Sequence, residues 1–353
     1  MKISEIILEW FKKNCRQLPW RETNDPYKIW LSEIILQQTR VNQGLDYYYR
    51  FVERFPDVHR LAAAEEQEVI KLWQGLGYYS RARNLLAAAR QVEAEFDGAF
   101  PATCQDLLRL KGVGPYTAAA VASIAYNIPV AVVDGNVSRV LSRLYGVEDP
   151  VNVPAGEKKI ATLAGELLNH AHPGDHNQAM MEFGALQCVP VSPDCPACPL
   201  RQYCTAYREK LVDVLPRKQK KATVRNRYFT YLIINEGAYT YINKRTGNDI
   251  WKEMYEFPLI EHEKEPDETE IIRAASALTG MGEEQLVITA LSEPVRHQLT
   301  HRRIIARFLH LQSGPHLEQP PGQWKRIRFS EVGEHPLPRL IDRYLEVNGD
   351  SPV

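Results

Sequence analysis

The sequence predicts a multi-domain chain, an all-α region of many short helices closed by clustered cysteines and then an α+β region. Three observations carry that expectation. The chain has 353 residues, more than one typical domain. Apolar residues recur at helical spacing up to about residue 205, punctuated by proline and glycine. After Cys204 the texture changes to β-branched and aromatic runs.

Taken in order, Ile3-Ile6-Ile7-Trp10 lies in an opening segment that also carries acids, so it reads as an amphipathic helix rather than a signal peptide. Leu31-Ile34-Ile35, Leu107-Leu108-Leu110 and the Ala/Val-rich stretch from Thr117 to Tyr126 continue the helical pattern. Pro26, Pro56, Gly75, Pro101, Gly112, Pro129 and Gly135 break it. The run Pro216 to Arg227 holds six basic residues and no acid, and reads as a solvated linker. Beyond it Tyr228–Ile234 and Tyr239–Ile242 read as strands, Glu268–Leu278 as a helix, Arg302–Leu311 as a strand and Pro338–Val347 as a closing helix. The expected division is therefore 1–205, with a cysteine loop at 188–204, a basic linker at 206–227 and an α+β domain at 228–347. No internal repeat is visible.

Composition sets outer bounds. With 44% hydrophobic and 25% charged residues the chain can bury an ordinary soluble core. The net charge of −1 means that any nucleic-acid surface must come from local patches. No apolar run approaches the roughly 18 residues of a membrane span. These features point to a cytoplasmic protein whose thiols stay reduced.

Six cysteines occur, at 15, 104, 188, 195, 198 and 204, and the last four follow the spacing C-x6-C-x2-C-x5-C. Such density under reducing conditions means a metal or a cluster, because thiolates are soft ligands. Structural zinc sites more often pair two short knuckles, and only Cys195-Pro-Ala-Cys198 is one. The spacing points instead to a [4Fe–4S] cluster on Cys188, Cys195, Cys198 and Cys204, with zinc as the rival. Cys15 and Cys104 stand alone and read as packing residues.

Leu110-Lys-Gly-Val-Gly-Pro-Tyr-Thr-Ala118 sets Gly112, Val113 and Gly114 between two helical patterns. The glycines allow a tight turn, and N–H groups at the following helix start suit a DNA phosphate; an ordinary interhelical turn is the alternative. Asp134, before Gly-Asn-Val-Ser-Arg-Val140, is placed to cap a helix, and a capped carboxylate is both ionised and fixed. Its charge could stabilise a cationic sugar. Glu33 has Ile29, Trp30, Leu36 and Gln37 as its helical neighbours. Burial in that company raises a carboxyl pKa and suits proton donation, the alternative being a solvent-facing helix edge.

Six motifs in order resemble the helix-hairpin-helix glycosylases related to endonuclease III, and more closely the adenine DNA glycosylases of the MutY family. They are Leu18-Pro-Trp-Arg21, Trp30-Leu-Ser-Glu-Ile-Ile-Leu-Gln-Gln-Thr39, Gly75-Leu-Gly-Tyr-Tyr-Ser-Arg-Ala-Arg-Asn84, the hairpin, Val133-Asp-Gly-Asn136 and the cysteine array. The resemblance implies a monofunctional enzyme acting on double-stranded DNA with adenine opposite 8-oxoguanine or guanine. It implies that Glu33 protonates flipped adenine at N7 while Asp134, helped by Asn136, stabilises an oxocarbenium-like sugar. Tyr116 stands where bifunctional relatives carry a lysine, so no Schiff base can form. By the same resemblance Gln38 and Tyr78 wedge into the base stack, and Arg16, Trp20, Arg21, Leu36 and Gln178 line the adenine pocket. Arg201, between two cysteines, would sit near phosphate.

The C-terminal pattern, with Trp251-Lys-Glu-Met-Tyr-Glu-Phe-Pro258, resembles the family's Nudix-like 8-oxoguanine-reading domain. Its helix lacks the R-E-x-x-E-E run that an active Nudix hydrolase needs for magnesium. The family's Phe-Ser-His lesion loop is matched by Leu299-Thr-His301, so Thr300 and His301 are the lesion-contact candidates and Leu299 is a departure. The resemblance further implies a monomer, associated with the nucleoid if the source is bacterial.

Overall fold

The computed structural model describes residues 2–219, 225–299, 302–312 and 324–348. Two compact units result, one spanning Met1–Glu66 and Ser80–Lys220, the other Gln67–Tyr79 and Lys221–Val353. The helical segments in chain order are α1 (Ile3–Asn14), α2 (Pro26–Leu36), α3 (Val41–Arg54), α4 (Val58–Ala62), α5 (Glu66–Leu72), α6 (Ser80–Glu95), α7 (Cys104–Leu107), α8 (Pro115–Tyr126), α9 (Gly135–Tyr145), α10 (Pro154–Leu167), α11 (Pro173–Leu186) and α12 (Thr205–Arg208). None is long and apolar enough to cross a membrane.

The starts of these helices follow from local chemistry. Asp25 caps α2 by accepting from the Tyr27 N–H, and Pro26 takes the first helical position, where no N–H is needed. Residues on every side of α2 are buried, from Tyr27 through Ile35, so it runs through the interior of the unit rather than along its surface. α1 lays Ile6 and Ile7 inward, and Trp10 meets Phe183 of α11 edge-on at 4.9 Å. Cys104 packs part-buried near Ala118 of α8. One expected helix is shorter than its pattern. α7 ends at Leu107, Leu108 is exposed, and Leu110 reaches the core through a turn in which its N–H meets the Leu107 carbonyl. Burial at two turns in sequence had imitated helical spacing.

The second unit carries β1 (Arg225–Asn235), β2 (Tyr239–Lys244), β3 (Tyr255–Glu256), β4 (Leu259–His262), α13 (Glu268–Thr279), β5 (Val287–Leu291), β6 (Val295–Gln298), β7 (Arg302–Gln312), β8 (Lys325–Arg328) and α14 (Arg339–Asn348). One sheet has the order β4-β1-β7-β5 with β6 also on β7, and a smaller one has the order β3-β2-β8. β1 and β7 pair in parallel from Arg225↔Arg302 to Asn235↔Gln312, which requires the long crossover that the intervening elements supply. Alternation along β1 sends Phe229, Tyr231 and Ile233 to the α14 side, and Leu232 and Ile234 to the α13 side. β1 starts three residues before the expected Tyr228, inside the stretch read as linker. Arg227 there is not solvated: it pairs with Glu261 at 2.6 Å and with Asp249 at 2.7 Å. Thr300 and His301 lie outside the described residues. Leu299 is part-buried against the sheet core, and its N–H donates to the Arg302 carbonyl.

The central contact of this unit is the ring of Phe308, stacked at 3.7 Å on Tyr344 of α14 and at 5.4 Å on Tyr231 of β1. Phe308→Ala should cost about 3–5 kcal/mol, the usual range for deleting a buried aromatic ring. Urea denaturation of the full chain should show the transition of this unit moved accordingly. An unmoved transition would mean that the sandwich of rings does not hold α14 down.

Candidate functional site

Within the first unit, α2, α8, α9, α11 and the segment after α1 enclose a cavity of 190 Å³. Its walls include Arg16, Trp20, Arg21, Glu33, Leu36, Tyr116, Asp134, Asn136 and Gln178, so all the catalytic and adenine-pocket candidates meet there. Met181 and Glu182 of α11 also line it.

Glu33 is buried, at 7% exposure, although it is ionisable. Its Oε2 accepts a hydrogen bond from the Tyr116 hydroxyl at 2.6 Å. Burial raises its pKa to about 7, the neighbouring Asp134 charge adds to that, and the Tyr116 bond and Arg21 oppose it. At neutral pH a large share of Glu33 is thus protonated. The Tyr116 phenol is held well above its ordinary range by burial and by Glu33, so it stays a donor.

Asp134 sits across the cavity in a different environment. As the N-cap of α9 it accepts from the Val137 N–H at 2.7 Å, while its second oxygen accepts from Asn136 Nδ2 at 2.8 Å. Burial raises its pKa, and these donors together with Arg139 pull it back. Asn136 is itself fixed, since its Oδ1 accepts from Arg139 Nη2 at 2.9 Å. α11 comes close enough to hold it only because position 184 is glycine: a Cβ there would stand 2.6 Å from the Asn136 Cβ.

Glu182 was not marked by the sequence reading, and it organises the cavity floor. Arg16 reaches it through the main-chain N–H at 2.9 Å, Nε at 2.8 Å and Nη2 at 2.6 Å, and Arg21 through Nη1 at 3.1 Å and Nη2 at 2.8 Å. Burial alone would raise its pKa, but the two guanidiniums reverse that and hold it at about 2. The signal was present: an acid inside the apolar run Ala179-Met-Met-Glu-Phe183, four residues after Gln178, is the pattern that singled out Glu33. Arg139 was missed as well.

The surface candidates are more dispersed. Gln38 follows α2 with φ +59°, and Tyr78 has φ +49°; both are exposed. Such left-handed backbone is uncommon outside glycine and singles out both residues as held turns. In the hairpin, Gly112 has φ +76° and Gly114 is the N-cap of α8. Val113 buries its side chain and gives its N–H to Leu110, so it shapes the turn rather than offering a donor.

Cys188, Cys195, Cys198 and Cys204 surround a second, small cavity with Arg143 and Arg201. All four are free thiols. Burial pushes the Cys198 thiol up to about 11, the Leu200 main chain opposes that, and the three companion cysteines add to it. Arg143 lies 3.4 Å from the Cys188 sulfur, and the Cys188 carbonyl accepts from Arg139 at 2.8 Å. No group of three or more His, Cys, Asp or Glu among the described residues closes on a single ion. Four cysteines around one space are a soft donor set of the kind that iron–sulfur groups and zinc both accept.

Residues 31–168 match the family model described as HhH-GPD superfamily base excision DNA repair protein, and residues 229–347 match that of the NUDIX domain. The adenine DNA glycosylase of Buchnera aphidicola subsp. Acyrthosiphon pisum is 35% identical over 263 residues, 74% of this chain and 75% of that one. The adenine DNA glycosylase of Mus musculus is 44% identical over 212 residues, 57% of this chain and 41% of its own. Among solved structures, a thermostable thymine-DNA glycosylase matches with TM-score 0.55 and 31% identity, over 58% of this chain and 95% of that one. Endonuclease III trapped on DNA matches with TM-score 0.51 and 22% identity, over 59% and 95% respectively, and so shares the helical fold.

The raised pKa of Glu33 has a consequence for stability. A carboxyl with an ordinary value of 4.5 when unfolded and about 7 when folded favours the folded state while protonated, and that contribution fades as pH rises through 7. Glu33→Gln, which mimics the protonated form, should therefore gain stability over the parent between about pH 4.5 and 7 and hold a constant advantage of up to about 3 kcal/mol above that. Melting both proteins from pH 5 to 9 tests it; a gap that does not widen with pH would place Glu33 in solvent.

Proposed function

The chain belongs to the adenine DNA glycosylase family, and we propose that it hydrolyses the N-glycosidic bond of adenine opposite 8-oxoguanine or guanine in double-stranded DNA. The observation that carries this is the pair of unlike carboxylates in one cavity: Glu33 buried and half protonated, Asp134 capped and fixed. Adenine is flipped out of the duplex into the cavity, a step that is easier for a mispaired base and so contributes to selection. Glu33 gives its proton to adenine N7, and the bond to the sugar breaks with its electron pair leaving on the base. Asp134, positioned by Asn136, balances the positive charge that develops on the sugar. Water then adds to the sugar and loses a proton. Tyr116 offers a phenol and no amine, so the strand is not cut. Arg16, Trp20, Arg21, Leu36 and Gln178 bound the base.

In the same reading Gln38 and Tyr78 enter the stack, the Gly112–Gly114 hairpin and Arg201 meet phosphates, and Thr300 with His301 contacts the oxidised guanine. Residues 1–205 then perform the chemistry, the stretch from there to β1 connects, and the domain from Arg225 onward reads the lesion. The four cysteines would hold a [4Fe–4S] cluster, which when bound ties the 188–204 loop to the helical unit. Arg143 at the Cys188 sulfur and Arg139 at its carbonyl keep that loop in place from the protein side.

Duplexes with adenine opposite 8-oxoguanine should lose adenine and keep an intact strand until alkali is added, and adenine opposite guanine should react more slowly. Glu33→Gln should slow release by roughly 10²–10⁴-fold, the span of a general acid, while the duplex is still bound. No free adenine from the parent protein would sink the reading, and strand scission without alkali would sink its monofunctional part. Purified protein should contain iron and acid-labile sulfide in equal amounts, both lost in Cys195→Ser. Zinc in their place would overturn the cluster assignment.

A further inference from the structure

We infer that Arg81, on α6, is a positioning residue for this reaction: its guanidinium fastens the end of the helix that bears Glu33 to the strained turn that presents Gln38. The inference rests on the roles proposed above for those two residues. Arg81 is 8% exposed and does not line the cavity. Its Nη1 stands 3.0 Å from each of the carbonyl oxygens of Ile34 and Ile35 and also donates to that of Gln37, and its Nη2 lies 3.4 Å from Thr39 Oγ1.

Those acceptors are the ones a helix end leaves over. The last carbonyls of an α-helix have no intrahelical partner, and most helices satisfy them with a glycine-based turn or with water. α2 ends at Leu36 without a glycine, and its chain turns out of the helix at Gln37, with ψ 111°. The Leu36 carbonyl accepts from the Thr39 N–H at 3.1 Å, and Arg81 takes those of Ile34 and Ile35. A buried guanidinium whose donors are used in this way is fixed, and it fixes the chain it binds. Gln38, with φ +59°, lies between the Gln37 carbonyl and the Thr39 hydroxyl that Arg81 holds, so its left-handed backbone is bracketed by one side chain. The grip on Ile34 is one residue from Glu33. α6 also supports the hairpin, since a Cβ on Gly112 would stand 2.7 Å from the Cβ of Asn84. One helix therefore sets the place of the Gln38 turn and of the hairpin together.

Lysine at position 81 keeps the charge but loses the planar fork that spans several acceptors. With the cluster-containing full chain, Arg81→Lys should bind a duplex bearing a non-hydrolysable adenine nucleotide opposite 8-oxoguanine roughly tenfold more weakly, and should release adenine from the normal duplex roughly tenfold more slowly in a single turnover. Gln38→Ala should weaken binding too, and adding Arg81→Lys to it should weaken binding by less than about twofold more, because both changes remove the same contact. Binding losses that multiply, or Arg81→Lys equal to the parent, would overturn the inference. If Arg81→Lys does not fold, Gln38→Gly in that background decides: glycine accepts the left-handed backbone without help, so recovery of folding supports the bracket, and continued failure reduces Arg81 to general stability. A parent protein that releases no adenine would refute the functional reading itself; an active parent with an unaffected Arg81→Lys would refute only this inference.

Discussion

The hydrogen bond from Tyr116 to Glu33 is the interaction around which the helical unit is arranged. A carboxyl group placed in the middle of a buried helix is expensive to ionise. One phenol donor at 2.6 Å lowers that cost without removing it, and the residual leaves the group titrating near neutrality. Asp134, by contrast, receives a main-chain N–H and a side-chain amide, with Arg139 behind them. Burial raises both carboxyls, and the two sites differ in the number and kind of donors that oppose it.

Around that pair, buried and part-buried guanidiniums do most of the fixing. Arg16 and Arg21 close on Glu182, Arg139 spans Asn136 and the carbonyls of Gly184 and Cys188, and Arg143 gathers the carbonyls of Val189, Pro190 and Leu215. Arginine suits these places because its flat fork can satisfy several acceptors from different segments at once. The hydrogen bonds run from Cys188 through Arg139 and Asn136 to Asp134, so the cysteine loop and this carboxylate share one frame. Such networks add little net stability in isolation. Their effect is to limit how far the two acids can drift from a common geometry.

Much of this was legible in the sequence, and what was not has a physical reason. Local signals placed α2, α8, α9, α13 and α14, because capping residues, proline at helix starts and apolar spacing act within a few positions. The acid among apolar neighbours identified Glu33. Glu182 carries the same signal, but nothing near it in sequence reveals Arg16 and Arg21, which lie more than 160 residues away and turn an isolated buried charge into a paired one. Arg227 failed for a similar reason: read among its neighbours it is one of six cations, and only the fold supplies Glu261 and Asp249. The grouping of Gln67–Tyr79 with the C-terminal unit is likewise invisible to periodicity, which reports a buried face but not what buries it.

On the proposed reading, acid catalysis and amine chemistry would exclude each other at position 116. An ammonium there would stand where the Tyr116 hydroxyl now lies, within hydrogen-bond reach of Glu33. An adjacent positive charge favours the ionised carboxylate, and in a buried site that effect is strong. Glu33 would lose the proton it needs at neutral pH, and the amine would be held as an ion pair rather than as a free nucleophile. Tyrosine avoids both outcomes, because its own pKa is driven upward by the same burial and it can only donate. On the proposed reading, the tyrosine that leaves no amine for a lyase step is also the residue that donates to Glu33, so both properties rest on one hydrogen bond.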